Sequence, residues 1–96
     1  MNATLHEVQS TVAEEMKLSF SHLDEEQIQH MVMFGLAEEA GEVVGLMKRR
    51  IRAYEKDRKK STFLHFAEEL GDVFWYLAAC CQVENITLDD IWKVNR

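Results

Sequence analysis

Proline is absent from this chain of 96 residues, and glycine occurs only four times. Both residues interrupt helices, so their scarcity leaves long helical runs intact. The glycines form no phosphate-cradling loop, and no nucleophile elbow or Cys/His signature supports covalent catalysis. Cysteine is confined to the adjacent Cys80 and Cys81. Neighbours on a helix point about 100° apart, a poor geometry for a disulfide. They read as small core residues of a reducing compartment. No apolar run approaches the ~20 residues needed to span a bilayer, and the first seven residues carry no signal-peptide pattern. The expectation is a soluble, cytoplasmic protein with no membrane partner. An excess of positive charge is also missing. Eleven Lys and Arg stand against seventeen Asp and Glu, a net charge of −6, which argues against a nucleic-acid partner.

What remains is apolar and helix-forming. Hydrophobic residues make up 47% of the chain, too many for a disordered segment, and Ala, Leu, Met, Glu, Lys and Gln are common. The class is all-α. Residues 1–96 form one domain, short enough that oligomerisation is expected to complete its core.

Leu5, Val8, Val12 and Met16 fall on one helical stripe, predicting a helix from about Thr4 to Leu18. Asp24 with Gln27 has the pattern of a capping box. The stripe Ile28, Val32, Leu36, Val43 and Leu46 follows it to at least Arg50. Glu55 to Lys60 reads as a mobile loop. Ser61 or Thr62 caps a third helix through Phe63, Phe66, Leu70, Phe74, Leu77 and Cys81, ending near Val83. Thr87 with Asp90 repeats the capping-box pattern before a last helix through Ile91 and Trp92. Four helices with short links predict an antiparallel four-helix bundle-like domain. Trp75, Trp92, Phe34 and Phe74, with Met31, Met33 and Met47, are read as packing residues. Eight of the eleven basic residues lie between Lys48 and Lys60. That concentration is either a solvated segment or a local field for a polyphosphate.

The chain repeats one motif. Ala37-Glu38-Glu39-Ala40-Gly41-Glu42-Val43 returns as Ala67-Glu68-Glu69-Leu70-Gly71-Asp72-Val73. Residues three or four apart share a helix face, so Glu39 and Glu42 are neighbours, as are Glu69 and Asp72. Paired antiparallel, the helices set four carboxylates around one point. Two carboxylates about 4 Å apart repel by roughly 4 kcal/mol at an effective dielectric of 20, so such a cluster protonates or binds cations. An all-oxygen set suits Mg²⁺ or Mn²⁺, and four acids suit more than one ion and a phosphate substrate. A single such pair of acids on a helix is an ordinary solvated face. Two copies with matched glycines and matched apolar flanks are not. Gly41 and Gly71 are expected to give close helix approach or room for a ligand. Di-iron carboxylate bundles draw on Glu-x-x-His, and neither His30 nor His65 stands at that spacing.

The string Gly35-Leu36-Ala37-Glu38-Glu39-Ala40-Gly41-Glu42, followed by Glu68-Glu69-Leu70-Gly71-Asp72-Val73, resembles the MazG family of all-α nucleoside triphosphate pyrophosphohydrolases. That family's EExxE and ExxD motifs stand here at Glu38–Glu42 and Glu69–Asp72, with twenty-six residues between them. The resemblance implies cleavage of nucleoside triphosphates, chiefly deoxynucleotides, between the α and β phosphates, with Mg²⁺ as cofactor and Mn²⁺ as a substitute. It implies a role in nucleotide-pool housekeeping. Carried over position by position, it makes Glu39, Glu42, Glu69 and Asp72 the metal ligands and matches Glu38 to the motif's first acid, a candidate base. Tyr76, Lys93 and Asn95 become candidate substrate contacts, and the basic stretch containing Arg49 is another source of phosphate contacts. It also implies a homodimer or homotetramer. The rival reading is a non-enzymatic helical interaction module whose acidic helices face solvent.

Overall fold

Local capping chemistry starts three of the helices. We analysed a computed structural model, in which residues 2–52 and 63–96 are described; the predicted loop from Glu55 to Lys60 and the predicted caps Ser61 and Thr62 lie outside them. Helix α1 spans Leu5–Ser19. The Glu7 amide donates to Thr4 Oγ1 at 3.1 Å and the Thr4 amide donates to Glu7 Oε1 at 3.0 Å, a reciprocal capping box. Helix α2 spans Glu25–Arg52. Asp24 and Gln27 cap it in the same manner, at 2.8 and 3.0 Å. Helix α4 spans Leu88–Asn95, and Thr87 exchanges two 2.9 Å bonds with Asp90. Helix α3, Phe63–Val83, is closed at its C-terminus. Asn85 takes φ of +60°, and the Ile86 and Asn85 amides return to the carbonyls of Cys81 and Gln82. That is a Schellman ending with asparagine in the left-handed position.

The described residues are all-α, with four helices and no strand. α2 and α3 form the main pair and α1 lies against α3. Contacts of Gln29 with Glu84 and of Cys80 with Val32 and Met33 set α2 and α3 antiparallel. The core of Val12, Met16, Phe20, Val32, Ala78, Ala79, Cys81 and Leu88 lies where α1, the start of α2, the end of α3 and the start of α4 meet. Buried Gln9 stitches this end together. Its Nε2 donates to Gln82 Oε1 and the Ile86 carbonyl, and its Oε1 accepts from the Leu88 amide. Both cysteines are free, and burial raises both thiols above their ordinary pKa.

Away from that core, the latter half of α2 and the first half of α3 leave apolar side chains exposed among the described residues. Leu46 is buried there, whereas Val44 (68% exposed), Ile51, Leu64, Leu70 and Phe74 are exposed. The expectation that Phe74 is a packing residue therefore fails within one chain. Phe34, Trp92, Met31, Met33 and Met47 are likewise exposed rather than packed inside.

Candidate metal centre

Midway along the helix pair, the repeated motifs face one another. Glu39 of α2 meets Glu69 and Asp72 of α3, with one carboxylate oxygen from each lying within 4.8 Å of the others. Val32 and Leu46, two turns before and after Glu39, are both buried. Glu39 is thus part of the inward stripe and is only partly exposed.

Two of the converging carboxylate oxygens lack a hydrogen-bond partner. Glu39 Oε2 and Glu69 Oε2 are sealed from solvent and accept no hydrogen bond. Burial raises the Glu39 pKa above the ordinary carboxylate value, and the charges of Glu42, Asp72, Glu69 and Glu38 push it further in the same direction. A buried acceptor that lacks a donor is costly, and a divalent cation satisfies it. Two oxygens on one Mg²⁺ at 2.0–2.1 Å lie at most about 4 Å apart, so oxygens within 4.8 Å of one another need only close in slightly to share such an ion. The donor set is all oxygen, as Mg²⁺ and Mn²⁺ prefer. The residues present therefore fit a hard divalent cation.

Three of the four expected ligands converge. Glu42 is exposed and stands outside the trio, although its charge acts on Glu39. At 100° per residue its direction on α2 is roughly 60° from that of Glu39, on the flank that also carries Glu38 and Arg49. Glu38 and Arg49 are exposed. Arg49 lies seven residues beyond Glu42, roughly 10 Å along the same face. His65 Nε2 lies 3.7 Å from Glu69 Oε1. Lys93 and Asn95 are exposed on α4, which packs chiefly against α1, and they do not join the trio. Tyr76 is half-buried. Its phenol pKa is raised first by burial and then by the charges of Glu39, Glu38 and Asp72, and it stands one turn beyond Asp72 on α3.

The glycines behave differently from expectation. Gly41 and Gly71 are exposed, and a Cβ at either would have nothing within 4 Å. They lie on the outer faces of their helices, so they give neither close approach nor a cavity within one chain. The close approach occurs at buried Gly35, where a Cβ would run into the ring of Tyr76. A glycine inside an apolar helical run is the only signal that pointed there, and its partner lies on another helix.

Fold and site together define a class: an all-α protein whose two longest helices bring carboxylates from a repeated acidic motif to one point. Residues 27–95 match the family model of the MazG nucleotide pyrophosphohydrolase domain, and the chain belongs to that family. The match begins at Gln27, ahead of Gly35, and so takes in the first turns of α2. No curated protein and no solved structure matches the chain.

Proposed function

We propose that this protein hydrolyses nucleoside triphosphates between the α and β phosphates, with Mg²⁺ as cofactor and Mn²⁺ as a substitute. The observation that carries the reading is the pair of buried, unpartnered oxygens on Glu39 and Glu69 within a converging trio. Family membership supplies the reaction class.

In this reading Glu39, Glu69 and Asp72 would hold the cation, with Glu42 at the rim for a second ion or a bound water. The bound ion supplies neutralisation of phosphate oxygens and a more acidic water. Water adds across the α–β anhydride, the bridging bond breaks, and a monophosphate and pyrophosphate leave. Glu38, exposed one residue from Glu39, is assigned the proton released by the attacking water. Arg49 meets phosphate charge two turns along the same flank. Tyr76 forms an aromatic wall beside the acids, against which the nucleoside rests. Lys93 and Asn95 are assigned substrate contacts in a pocket built from two subunits. Deoxynucleotides are the favoured substrates and cytoplasmic pool housekeeping the role, both by family analogy.

The assembly part of the reading rests on the exposed apolar face. Met33, Ala37, Ala40, Val44, Met47 and Ile51 recur on α2 at alternating four- and three-residue steps, and all are exposed. This stripe is offset roughly 120° from Glu39, on the side away from Glu38 and Glu42. Ala67, Leu70 and Phe74 on α3 are exposed at a similar offset. Because the helices are antiparallel, both stripes fall on one side of the pair, behind the acids. A second copy laying the same face on it completes a four-helix bundle of homodimeric or homotetrameric form.

A panel of NTPs and dNTPs with Mg²⁺, scored separately for pyrophosphate and orthophosphate, tests the reaction. Pyrophosphate with a matching monophosphate is the expected product. Orthophosphate alone excludes α–β cleavage, and no turnover with or without metal favours the interaction-module reading.

A further inference from the structure

The Gly35–Tyr76 contact has no role in the chemistry just described, yet it sits one layer from the acids. Gly35 precedes Glu39 by four residues on α2, and Tyr76 follows Asp72 by four on α3. The two helices are antiparallel, so these residues oppose each other one turn away, roughly 6 Å along the axis from the carboxylates. A Cβ at Gly35 would overlap three ring atoms of Tyr76. The other glycines meet nothing comparable: Gly41 and Gly71 face open space, and at Gly45 the neighbour is the far end of the Arg49 side chain.

The ring has little freedom to retreat. The indole of Trp75 packs edge-on to it at 5.0 Å between centroids. Trp75 is itself held by an edge contact with Phe20 at 6.1 Å and by a 2.8 Å hydrogen bond from its Nε1 to Glu15. One turn further along, the Cys80 thiol lies 3.4 Å from the Val32 carbonyl, so α2 and α3 are also close there. A methyl group placed between Gly35 and this anchored ring must part the helices rather than turn the side chain. Packed interiors transmit such a displacement rather than absorbing it. One turn further along α2 stands Glu39.

We propose that Gly35 is a positioning residue for the carboxylate centre: by receiving the ring of Tyr76 it holds α2 and α3 at the separation that brings Glu39 onto Glu69 and Asp72. The proposal rests on the reading that this trio holds a divalent cation. Its consequence is that cation affinity depends on a residue that offers no ligand atom.

The test is the Mn²⁺ dissociation constant by calorimetry without substrate, with helicity at 222 nm measured in parallel. Variants are Gly35→Ala and the pair Gly35→Ala with Tyr76→Leu. Gly35→Ala is expected to keep its helicity and to bind Mn²⁺ about tenfold more weakly or worse, the size of effect seen when support for a ligand is lost. Replacing the ring by Leu in the same chain makes room for the methyl, and the affinity returns most of the way to wild type. Wild-type protein that binds no Mn²⁺ overturns the cation reading and this proposal with it. Wild-type binding together with unchanged affinity in Gly35→Ala overturns this proposal alone. Should Gly35→Ala not fold, the double variant decides. Recovery of fold and affinity together upholds the role, whereas a double variant that folds without regaining affinity, or does not fold, overturns it.

Discussion

Glu39 sits in an electrostatic conflict. It is half-buried among like charges with one oxygen lacking any partner. A carboxyl whose folded pKa is raised stabilises the fold while protonated, and that contribution is lost as pH rises from the ordinary value near 4.5 through the raised one. The metal-free protein is therefore expected to lose thermal stability as pH climbs through that window, and Mg²⁺ to restore it above the window. A melting series from acid to neutral pH, with EDTA or with Mg²⁺, checks the sign. A metal-free melting temperature that rises over that range contradicts it. Glu39→Gln removes the charge but keeps the shape, so its metal-free melting point should exceed that of wild type. Its turnover should fall on the order of 100-fold or more, because a metal held there would supply several kcal/mol of transition-state stabilisation. Near-wild-type kcat/KM in Glu39→Gln would remove Glu39 from the centre. Cation binding at 100 times Kd adds about 2.7 kcal/mol, roughly 10 °C or more for a chain of this size, and a Mg²⁺ titration by differential scanning fluorimetry reads that directly.

The helices were legible in the sequence where their signals are local. Asp24 with Gln27 and Thr87 with Asp90 announce helix starts, and the bonds form where expected. A capping box needs only residues three apart, so no tertiary knowledge enters. Thr87→Ala should cost about 1 kcal/mol, roughly 4–8 °C in melting temperature, and leave Mn²⁺ affinity unchanged. An altered affinity would link α4 to the centre, contrary to its packing on α1. Asp90 and Glu7 are both held below the ordinary carboxylate range, first by the backbone amide of Thr87 or Thr4 and then by its hydroxyl. Their capping contribution is present above the unfolded pKa and fades as pH falls through the lowered one. The side a stripe faces was less legible. Leu70 and Phe74 carry the same apolar pattern as Leu77 and Cys81, yet the former pair is exposed while Cys81 is in the core and Leu77 packs against it. Periodicity states that a face wants cover, not what covers it.

For the whole molecule, the Cα radius of gyration is 15.6 Å, against roughly 12–13 Å for a compact chain of this length. The excess reflects a helix pair that extends beyond its own core. Its uncovered side carries Val44, Met47, Ile51, Leu70 and Phe74, an apolar surface of the kind that marks an interface. Wild-type protein should elute as a dimer or tetramer by light scattering. Val44→Asp combined with Leu70→Asp should shift it to the monomer, because two new charges would be buried across the contact. A wild type that stays monomeric at micromolar concentration removes the assembly part of the reading. One that still associates after both substitutions places the interface elsewhere.

Composition, capping pairs and the doubled acidic motif settled the helices, their approximate limits and the identity of the charged residues, because each signal spans only a few positions along the chain. Spatial convergence could not be settled in that way. Glu39, Glu69 and Asp72 meet while Glu42 stands outside the trio, and Gly35, not Gly41 or Gly71, receives a ring from the facing helix. Register and rotation between α2 and α3 made those choices. Both arise from packing between residues some thirty to fifty positions apart, where side-chain shape, absent from any local pattern, decides which atoms touch.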